Sequence, residues 1–324
     1  MDPKLLSPLI HIGYHKTAST WLQVNLFDHI DRGFFPIYDD KSMEKLKYYK
    51  SQVFARNFIF SEDDDICWPY EFPAEAIKEK LAQCPVRGPG VPVISHESLS
   101  GSPHAGGFDS RDICRRLSEV FEHPKILIVI REQKSLILSL YYSYLRWGGG
   151  LSLKNYLQQP YEGLSPVFDK RNFLFNNLIS MYRDAFGKYK VLVLAYEMFK
   201  NEPEYFMNRL SGFSGADIPV SLPFKQNANK NRGVWMDSKL RLMSYFFRKT
   251  SMNAYSALYL GKVFFKTEKS IRKRLKWMVP EFLDNSLLRK QAGVIEELIG
   301  DYYHESNLKT EQLTGLDLKK YSYS

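Results

Sequence analysis

The chain has 324 residues, 44% of them apolar, and carries a formal net charge of +9 at neutral pH. A chain of this length can bury a large core, and because no Pro/Gly/Ser-rich linker divides it we expect one domain over residues 1–324, with helical insertions and a helical C-terminal region. The charge favours a polyanionic ligand, whereas no zinc-finger, RNA-recognition or basic-helix pattern indicates nucleic acid.

Short apolar runs and helix-periodic segments alternate along the chain, which predicts an α/β fold. Strands are predicted at residues 9–14, 34–38, 91–96, 125–131 and 190–196, of which 34–38 has the weakest signal. Helices are predicted at residues 18–30, 111–121, 135–147, 171–185, 199–212, 236–249 and 281–299. This alternation predicts a parallel sheet of four to five strands flanked by helices, with ligand contacts at the carboxyl ends of the strands.

The segment after the first strand carries a glycine turn, one lysine and three hydroxyl side chains. It reads Gly13, Tyr14, His15, Lys16, Thr17, Ala18, Ser19, Thr20, Trp21. A strand that runs through a tight turn into a helix directs backbone N–H groups at one spot, where a phosphate or sulfate is held. A Walker A loop needs four residues between its glycine and a Gly-Lys-Ser/Thr triplet, but only two separate Gly13 from Lys16. The spacing therefore argues against an ordinary ATPase, and the plain alternative is a helix capped near Thr17 after a chance lysine.

This segment resembles the 5′-phosphosulfate-binding loop of the PAPS-dependent sulfotransferases, whose usual form is Tyr-Pro-Lys-Ser/Thr-Gly-Thr/Ser-Thr-Trp. The matching positions are Tyr14, Lys16, Thr17, Ser19, Thr20 and Trp21. His15 replaces the proline and Ala18 replaces the glycine, and an alanine at a turn that favours positive φ would cost ~1 kcal/mol. The resemblance, which is to bacterial-type members with a P-loop-like loop after strand one, implies that Gly13 to Trp21 bind the donor PAPS (3′-phosphoadenosine-5′-phosphosulfate).

The predicted strand at 91–96 ends in two residues that can act as a base. Sulfuryl transfer needs a group that stabilises the leaving oxygen, for which Lys16 is placed, and a His or Glu that takes the acceptor's proton. His96 matches the catalytic histidine of cytosolic sulfotransferases by position, and Glu97 follows it. We rank His96 first, with a structural histidine as its alternative. The acidic residues in the region where carbohydrate-type members carry a glutamate are Asp39, Asp40 and Glu44, and we favour none of them.

The predicted strand at 125–131 ends in an arginine that is followed by a serine eight residues later. Arg131 can fork onto phosphate oxygens, and Ser139, about two helical turns on, can offer a hydroxyl to the same group. The resemblance implies that both residues hold the 3′-phosphate of PAPS, although Glu132 and Ser135 stand where the family tends to have Asn and Asp. Considered alone, the spacing also fits a strand that ends at the surface, with the polar residues after it facing solvent.

Two later segments complete the implied donor site. Tyr196 follows the last predicted strand, where the family places a tyrosine near the adenine; the alternative is a tyrosine that caps the sheet. The polar loop at 226–233 falls where the family has a basic Arg-Lys-Gly loop over the 3′-phosphate. Its plausible equivalents are Lys230, Arg232 and Gly233.

The implied reaction moves a sulfuryl group from PAPS to a hydroxyl or amine acceptor, a saccharide or small molecule, releasing PAP (adenosine 3′,5′-bisphosphate) without a metal. The aromatic and glycine-rich stretch 143–150 could line or gate the acceptor pocket, or only pack on the sheet.

A basic amphipathic stretch at 262–277 could make weak membrane contact, with a solvated helix as the alternative. A P-loop-like nucleotide kinase and a non-catalytic nucleotide-binding protein remain alternative functions.

Cysteine usage and hydropathy indicate the compartment. Cys67, Cys84 and Cys114 are too few and too dispersed for a disulfide framework or a zinc site, which favours a reducing environment. No apolar signal region precedes the first strand, and no run of 18 apolar residues occurs. We therefore expect a soluble cytoplasmic protein, whose oligomeric state the sequence leaves open.

Overall fold

A computed structural model describes residues 7–38, 40, 49–60, 72–159, 166–219, 233–247, 258, 270 and 279–323. Its centre is a five-stranded, all-parallel sheet with helices around it, which confirms the predicted α/β class. The strands are β1 (Leu9–Gly13), β2 (Phe34–Pro36), β3 (Val91–Ser95), β4 (Lys125–Ile130) and β5 (Val191–Ala195). The weakest predicted strand is therefore present as the short β2.

The strand order β2-β3-β1-β4-β5 fixes where a ligand can bind. The chain moves from β1 to one side of the sheet for β2 and β3, then returns past β1 to form β4 and β5. The carboxyl ends of β1 and β4 thus lie at a topological switch point, where open parallel sheets form their binding crevice. Gly13 pairs with Val129 in this register, so the loop after β1 and the segment after β4 start side by side.

Every residue of β1, and all of β4 except its first, is buried, because helices cover both faces of the sheet. The α-helices within the described ranges are α1 (Ser19–Leu22), α2 (Lys50–Phe54), α3 (Ala74–Gln83), α4 (Ser110–Val120), α5 (Gln133–Arg146), α6 (Leu153–Leu157), α7 (Phe175–Phe186), α8 (Tyr196–Asn201), α9 (Pro203–Ser214), α10 (Val234–Phe247), α11 (Glu281–Ile299) and α12 (His304–Thr314). Single π-helical turns extend α1 and α2 over Gln23–Phe27 and Ala55–Ile59. No helix within the described residues is long and apolar enough to cross a membrane.

Most predicted helices are found within a few residues of their expected bounds, and three differ in form. The helix expected at 18–30 is α1 with its π-helical turn and ends at Phe27. The segment expected at 171–185 begins as a 3₁₀ turn over Lys170–Phe173 before α7. The segment expected at 199–212 is two helices, since Pro203 has no N–H to continue α8 and instead begins α9.

Candidate active site

The loop after β1 has a strained backbone. The N–H of Tyr14 donates to the carbonyl of Val129 (3.1 Å), which ties the loop to β4. Lys16 and Ala18 then both adopt left-handed backbone angles, with φ of +69° and +68°. The chain reverses within these residues and enters α1 at Ser19. Ala18 is thus at a left-handed position that suits glycine better than alanine.

Replacing Ala18 by glycine should raise the free energy of unfolding by about 0.5–1 kcal/mol, because glycine adopts this backbone region without the Cβ penalty. Chemical denaturation measures the change. Ala82→Gly is the matched control: Ala82 lies exposed inside α3, so glycine there should lower stability by about 0.5–1 kcal/mol. Equal losses in the two variants would contradict the strain assigned to Ala18.

Polar atoms converge over Gly13, and only a glycine fits there. A Cβ on Gly13 would lie 2.6 Å from Oγ of Ser19, 2.8 Å from Nε2 of His11 and 3.0 Å from Oγ1 of Thr17. Thr17 donates its hydroxyl to the carbonyl of Tyr14 (2.5 Å). The buried hydroxyl of Ser19, by contrast, has no hydrogen-bond partner among the described residues. An unpaired buried hydroxyl destabilises the folded protein by about 1–3 kcal/mol. An anion that accepts a hydrogen bond from Ser19 would remove this destabilisation.

Two aromatic residues of the predicted loop serve the core. Tyr14 is 2% exposed, donates its hydroxyl to the carbonyl of Asn172 (3.1 Å) and packs edge-on against Phe175. Its backbone N–H is already engaged with β4, so Tyr14 positions the loop and offers no unpaired donor to a ligand. Trp21 packs edge-on against Phe199 with ring centroids 4.9 Å apart, which anchors α1 to α8.

Arg131 joins the loop to the segment after β4. Its Nη1 donates to the carbonyl of Lys16 (3.0 Å), and its Nε donates to the hydroxyl of Ser135 (3.1 Å). Its guanidinium also lies over the ring of Tyr196, 4.8 Å from the centroid. The structure therefore brings together three residues that the sequence predicted for the donor site. Ser139 lies one turn beyond Ser135 on α5, and its contact with a ligand stays a prediction.

Glu97 is the centre of a group of charged and imidazole side chains. Gln52 donates to its carboxylate (3.3 Å), and Gln23 also hydrogen-bonds it. Burial alone would raise the pKa of Glu97, but His96, His15, a hydrogen bond from backbone and the hydrogen bond from Gln23 together outweigh burial and lower it. Glu97 is therefore an ionised carboxylate at neutral pH.

Lys16 and the histidines around Glu97 have lowered pKa values. The pKa of Lys16 is lowered by partial burial, then by the positive charge of Arg146, and also by that of Arg131, although the Glu97 carboxylate raises it. Burial lowers the pKa of His11, to about 3, and also lowers those of His15 and His96. These imidazoles are consequently neutral at neutral pH, and each can donate one hydrogen bond and accept another.

The hydrogen bond that His96 makes fixes which nitrogen carries its proton. Nδ1 of His96 accepts the backbone N–H of Ser98 (3.0 Å), and the ring packs edge-on against Phe60. A neutral ring that accepts at Nδ1 carries its hydrogen on Nε2. In this arrangement His96 is a donor, and the bond agrees with the structural alternative considered for it.

The later segments of the predicted donor site are only partly described. Lys230 and Arg232 lie outside the described residues, as does the stretch 262–277 apart from Ser270. The N–H of Gly233 is buried and donates to Asp284 (2.8 Å), which also accepts the N–H of Trp235. As it stands, Gly233 caps the start of α10 and offers no unpaired N–H to a phosphate. Of the acidic residues considered after α1, Asp40 forms an ion pair with Arg87 (2.7 Å), whereas Asp39 and Glu44 lie outside the described ranges.

Two further side chains lie near Lys16: His104, which sequence reasoning missed, and Arg146, which it named only as part of the stretch 143–150. His104, on a 3₁₀ turn at Pro103–Ala105, is close enough for the charge of Lys16 to contribute to its lowered pKa. Arg146, at the end of α5, bonds Asp237 (2.8 Å) and helps to lower the pKa of Lys16. Neither belongs to a recognisable motif, and only the fold brings them to the loop. Within the described ranges, no group of three or more His, Cys, Asp or Glu side chains could hold a metal ion.

No family model matches the chain, and no curated protein sequence matches it. Among solved structures it is similar to a sulfotransferase from Alicyclobacillus acidocaldarius, at 16% identity and a TM-score of 0.46, over 76% of this chain and 97% of that one. It is also similar to the sulfotransferase domain from the curacin biosynthetic pathway, at 14% identity and a TM-score of 0.39, over 66% of this chain and 75% of that one. The mouse sulfotransferase SULT7A1 complexed with PAP is similar at 12% identity and a TM-score of 0.30, over 96% of this chain and 93% of that one.

Proposed function

We propose that the chain is a sulfotransferase that moves a sulfuryl group from PAPS to a hydroxyl or amine acceptor. The observation that carries the proposal is the bond between Arg131 and the carbonyl of Lys16, which joins the loop after β1 to the end of β4 at the switch point of the sheet. Two cationic residues, Lys16 and Arg131, thus follow neighbouring strands at one edge of the sheet, as a ligand with two separate anionic groups requires.

The loop supplies the donors for the 5′ end of such a ligand. Ser19 has an unpaired buried hydroxyl, and the nearby Nδ1 of His15 is also unpaired among the described residues. Lys16 adds a cation with a lowered pKa, which makes its ammonium a stronger hydrogen-bond donor toward developing charge. Arg131 and Ser139 are the proposed holders of the 3′-phosphate, and Tyr196 is the proposed contact of the adenine.

PAPS, when bound, supplies an activated sulfuryl group, whose transfer breaks the bond from sulfur to the leaving phosphate oxygen and forms one to the acceptor oxygen. Lys16 stabilises the charge that appears on the leaving oxygen. Glu97 takes the proton that the acceptor loses, because its carboxylate is ionised and lies beside Lys16 and His15. His96, whose Nδ1 lone pair is engaged with Ser98, acts as a donor, so Glu97 replaces it as our first choice for the base.

Binding of PAP should raise the thermal stability of the protein, since a ligand that binds only the folded state stabilises it by about 2.7 kcal/mol at 100 times its Kd. The measurement is a thermal shift with PAP, PAPS and ATP plus Mg²⁺ in parallel. A kinase would instead respond to ATP with Mg²⁺ and show no response to PAP. No PAP-induced shift at all would overturn the proposed function, and binding without sulfated product would favour a non-catalytic nucleotide-binding protein.

A further inference from the structure

His104 is a buried histidine whose hydrogen-bonding capacity is unused. Its side chain is 5% exposed, and neither ring nitrogen has a hydrogen-bond partner within the described part of the chain. Burial, then the charge of Lys16, lowers the pKa of His104 to about 4, so the ring is neutral at neutral pH. It therefore presents one N–H and one lone pair, and leaving both unpaired in the interior is costly.

The ring of Trp147 packs against His104. The two rings pack edge to face with centroids 5.0 Å apart, and Tyr144, on the last turn of α5, lies 6.2 Å from His104 between ring centroids. Trp147 is 49% exposed, although an indole is among the largest apolar side chains. An indole that is half in solvent can turn outward without breaking the core, and that movement would free the side of the His104 ring on which it packs.

Lys16 lies between the proposed donor site and this pair of rings. Its carbonyl is bonded by Arg131, at the start of α5, whereas its side chain interacts electrostatically with Arg146 and His104. Because α5 has 14 residues, its two ends are about 21 Å apart. Lys16 thus links Arg131 to the C-terminal end of α5, just beyond which Trp147 lies, and Trp147 has no role in binding the donor.

We propose that His104 and Trp147 form the acceptor subsite, in which His104 hydrogen-bonds the hydroxyl group to be sulfated and Trp147 holds the ring that bears it. This proposal deepens the proposed function and rests on it. The indole turns outward, the hydroxyl pairs with the imidazole, and the exposed ring face then packs on the acceptor. His104 binds and orients the hydroxyl, while Glu97 remains the base that takes its proton.

The surroundings of Trp147 favour a pyranose over a phenol. Arg146, the residue before Trp147, is paired with Asp237 (2.8 Å), and Arg241 donates to the carbonyl of Gly150 (3.3 Å), three residues after it, so polar groups flank Trp147 in the chain. A phenol gains most from a dry apolar pocket, whereas a sugar places its C–H face on an aromatic ring and its hydroxyls against polar neighbours. A half-exposed indole next to one ion pair and a second arginine suits the second case.

Saturation-transfer NMR with methyl β-D-glucopyranoside, and with phenol as comparator, tests the subsite in the presence and absence of PAP. Wild type should transfer saturation to the glucoside ring protons, and His104→Ala and Trp147→Ala should reduce that signal at least about fivefold. His104→Gln, which keeps a donor and an acceptor, should retain part of it. His123→Ala is the matched control, since His123 is exposed in the loop before β4, at the opposite edge of the sheet, and should behave as wild type.

The thermal shift that PAP produces is measured on wild type and on the four variants, and it should be equal in all five proteins. Weak or absent glucoside signal in wild type, a stronger signal for phenol, or an unchanged glucoside signal in both His104→Ala and Trp147→Ala would overturn the subsite. A wild type that binds the glucoside through His104 and Trp147 but shows no PAP shift would instead overturn the donor assignment, so the two failures are distinguishable.

Discussion

Replacing Lys16 by alanine should lower kcat for sulfuryl transfer from PAPS by about 10²–10³-fold, the loss found when one donor to a developing oxyanion is removed. Arg131 does not replace the ammonium, because two of its N–H groups donate to the carbonyl of Lys16 and to Ser135 and the rest are assigned to the 3′-phosphate. Release of PAP under saturating PAPS and acceptor measures the effect.

Lys188→Ala is the control for the loss of a positive charge, since Lys188 is exposed in the turn before β5, at the amino edge of the sheet. We expect it to leave turnover unchanged. A loss below about tenfold in Lys16→Ala, with PAP binding retained, would remove Lys16 from the stabilisation of the leaving oxygen.

Replacing Glu97 by glutamine should lower kcat by about 10²–10⁴-fold, the range expected for loss of a general base, with PAP binding unchanged. Glutamine keeps the shape and can still bond Gln52 and Gln23, so the variant removes mainly the charge and the proton acceptor. Single-turnover kinetics separates the chemical step from binding and product release.

His96→Asn is the comparison variant, because the asparagine side-chain oxygen can accept the Ser98 N–H as the imidazole does. We expect it to lose no more than about tenfold in kcat. The opposite order, with His96→Asn far slower than Glu97→Gln, would return the role of base to His96.

The lowered pKa of Glu97 also sets the direction of the pH dependence. The carboxylate is ionised above its ordinary pKa of 4.5 and stays so below it, so kcat should remain level as pH falls from neutral through 5. The buried histidines act on stability instead: His104 ionises near pH 6.5 when unfolded and near 4 when folded, so acidification below about 6.5 favours the unfolded chain.

The sequence predicted the elements that carry the site because their signals are local. β1 and β4 are continuous apolar runs, and the loop after β1 has a recognisable order of glycine, lysine and hydroxyls. The approach of Arg131 to Lys16 was expected only through a resemblance, since it depends on the register that pairs Gly13 with Val129. Strand order and register are set by contacts between residues far apart in the chain, which periodicity does not report.

The ranking of His96 over Glu97 shows a different limit. The sequence placed both at the end of one strand, but the choice depends on a hydrogen bond between Nδ1 of His96 and the next turn of backbone. His104 was missed for a related reason: nothing in its neighbourhood marks it, and its unpaired nitrogens become visible only when the whole packing around Trp147 is known.

The fixed position of Arg131 has a consequence for the thermodynamics of binding. Two of its five N–H groups are engaged by other groups of the protein, and its guanidinium lies over the ring of Tyr196. Immobilising a long side chain at an interface costs about 0.5–1.5 kcal/mol of conformational entropy, and here folding has already met that cost. An anion that reaches Arg131 therefore finds a side chain already ordered, which corresponds to about a two- to tenfold tighter complex than the same contact made with a mobile arginine.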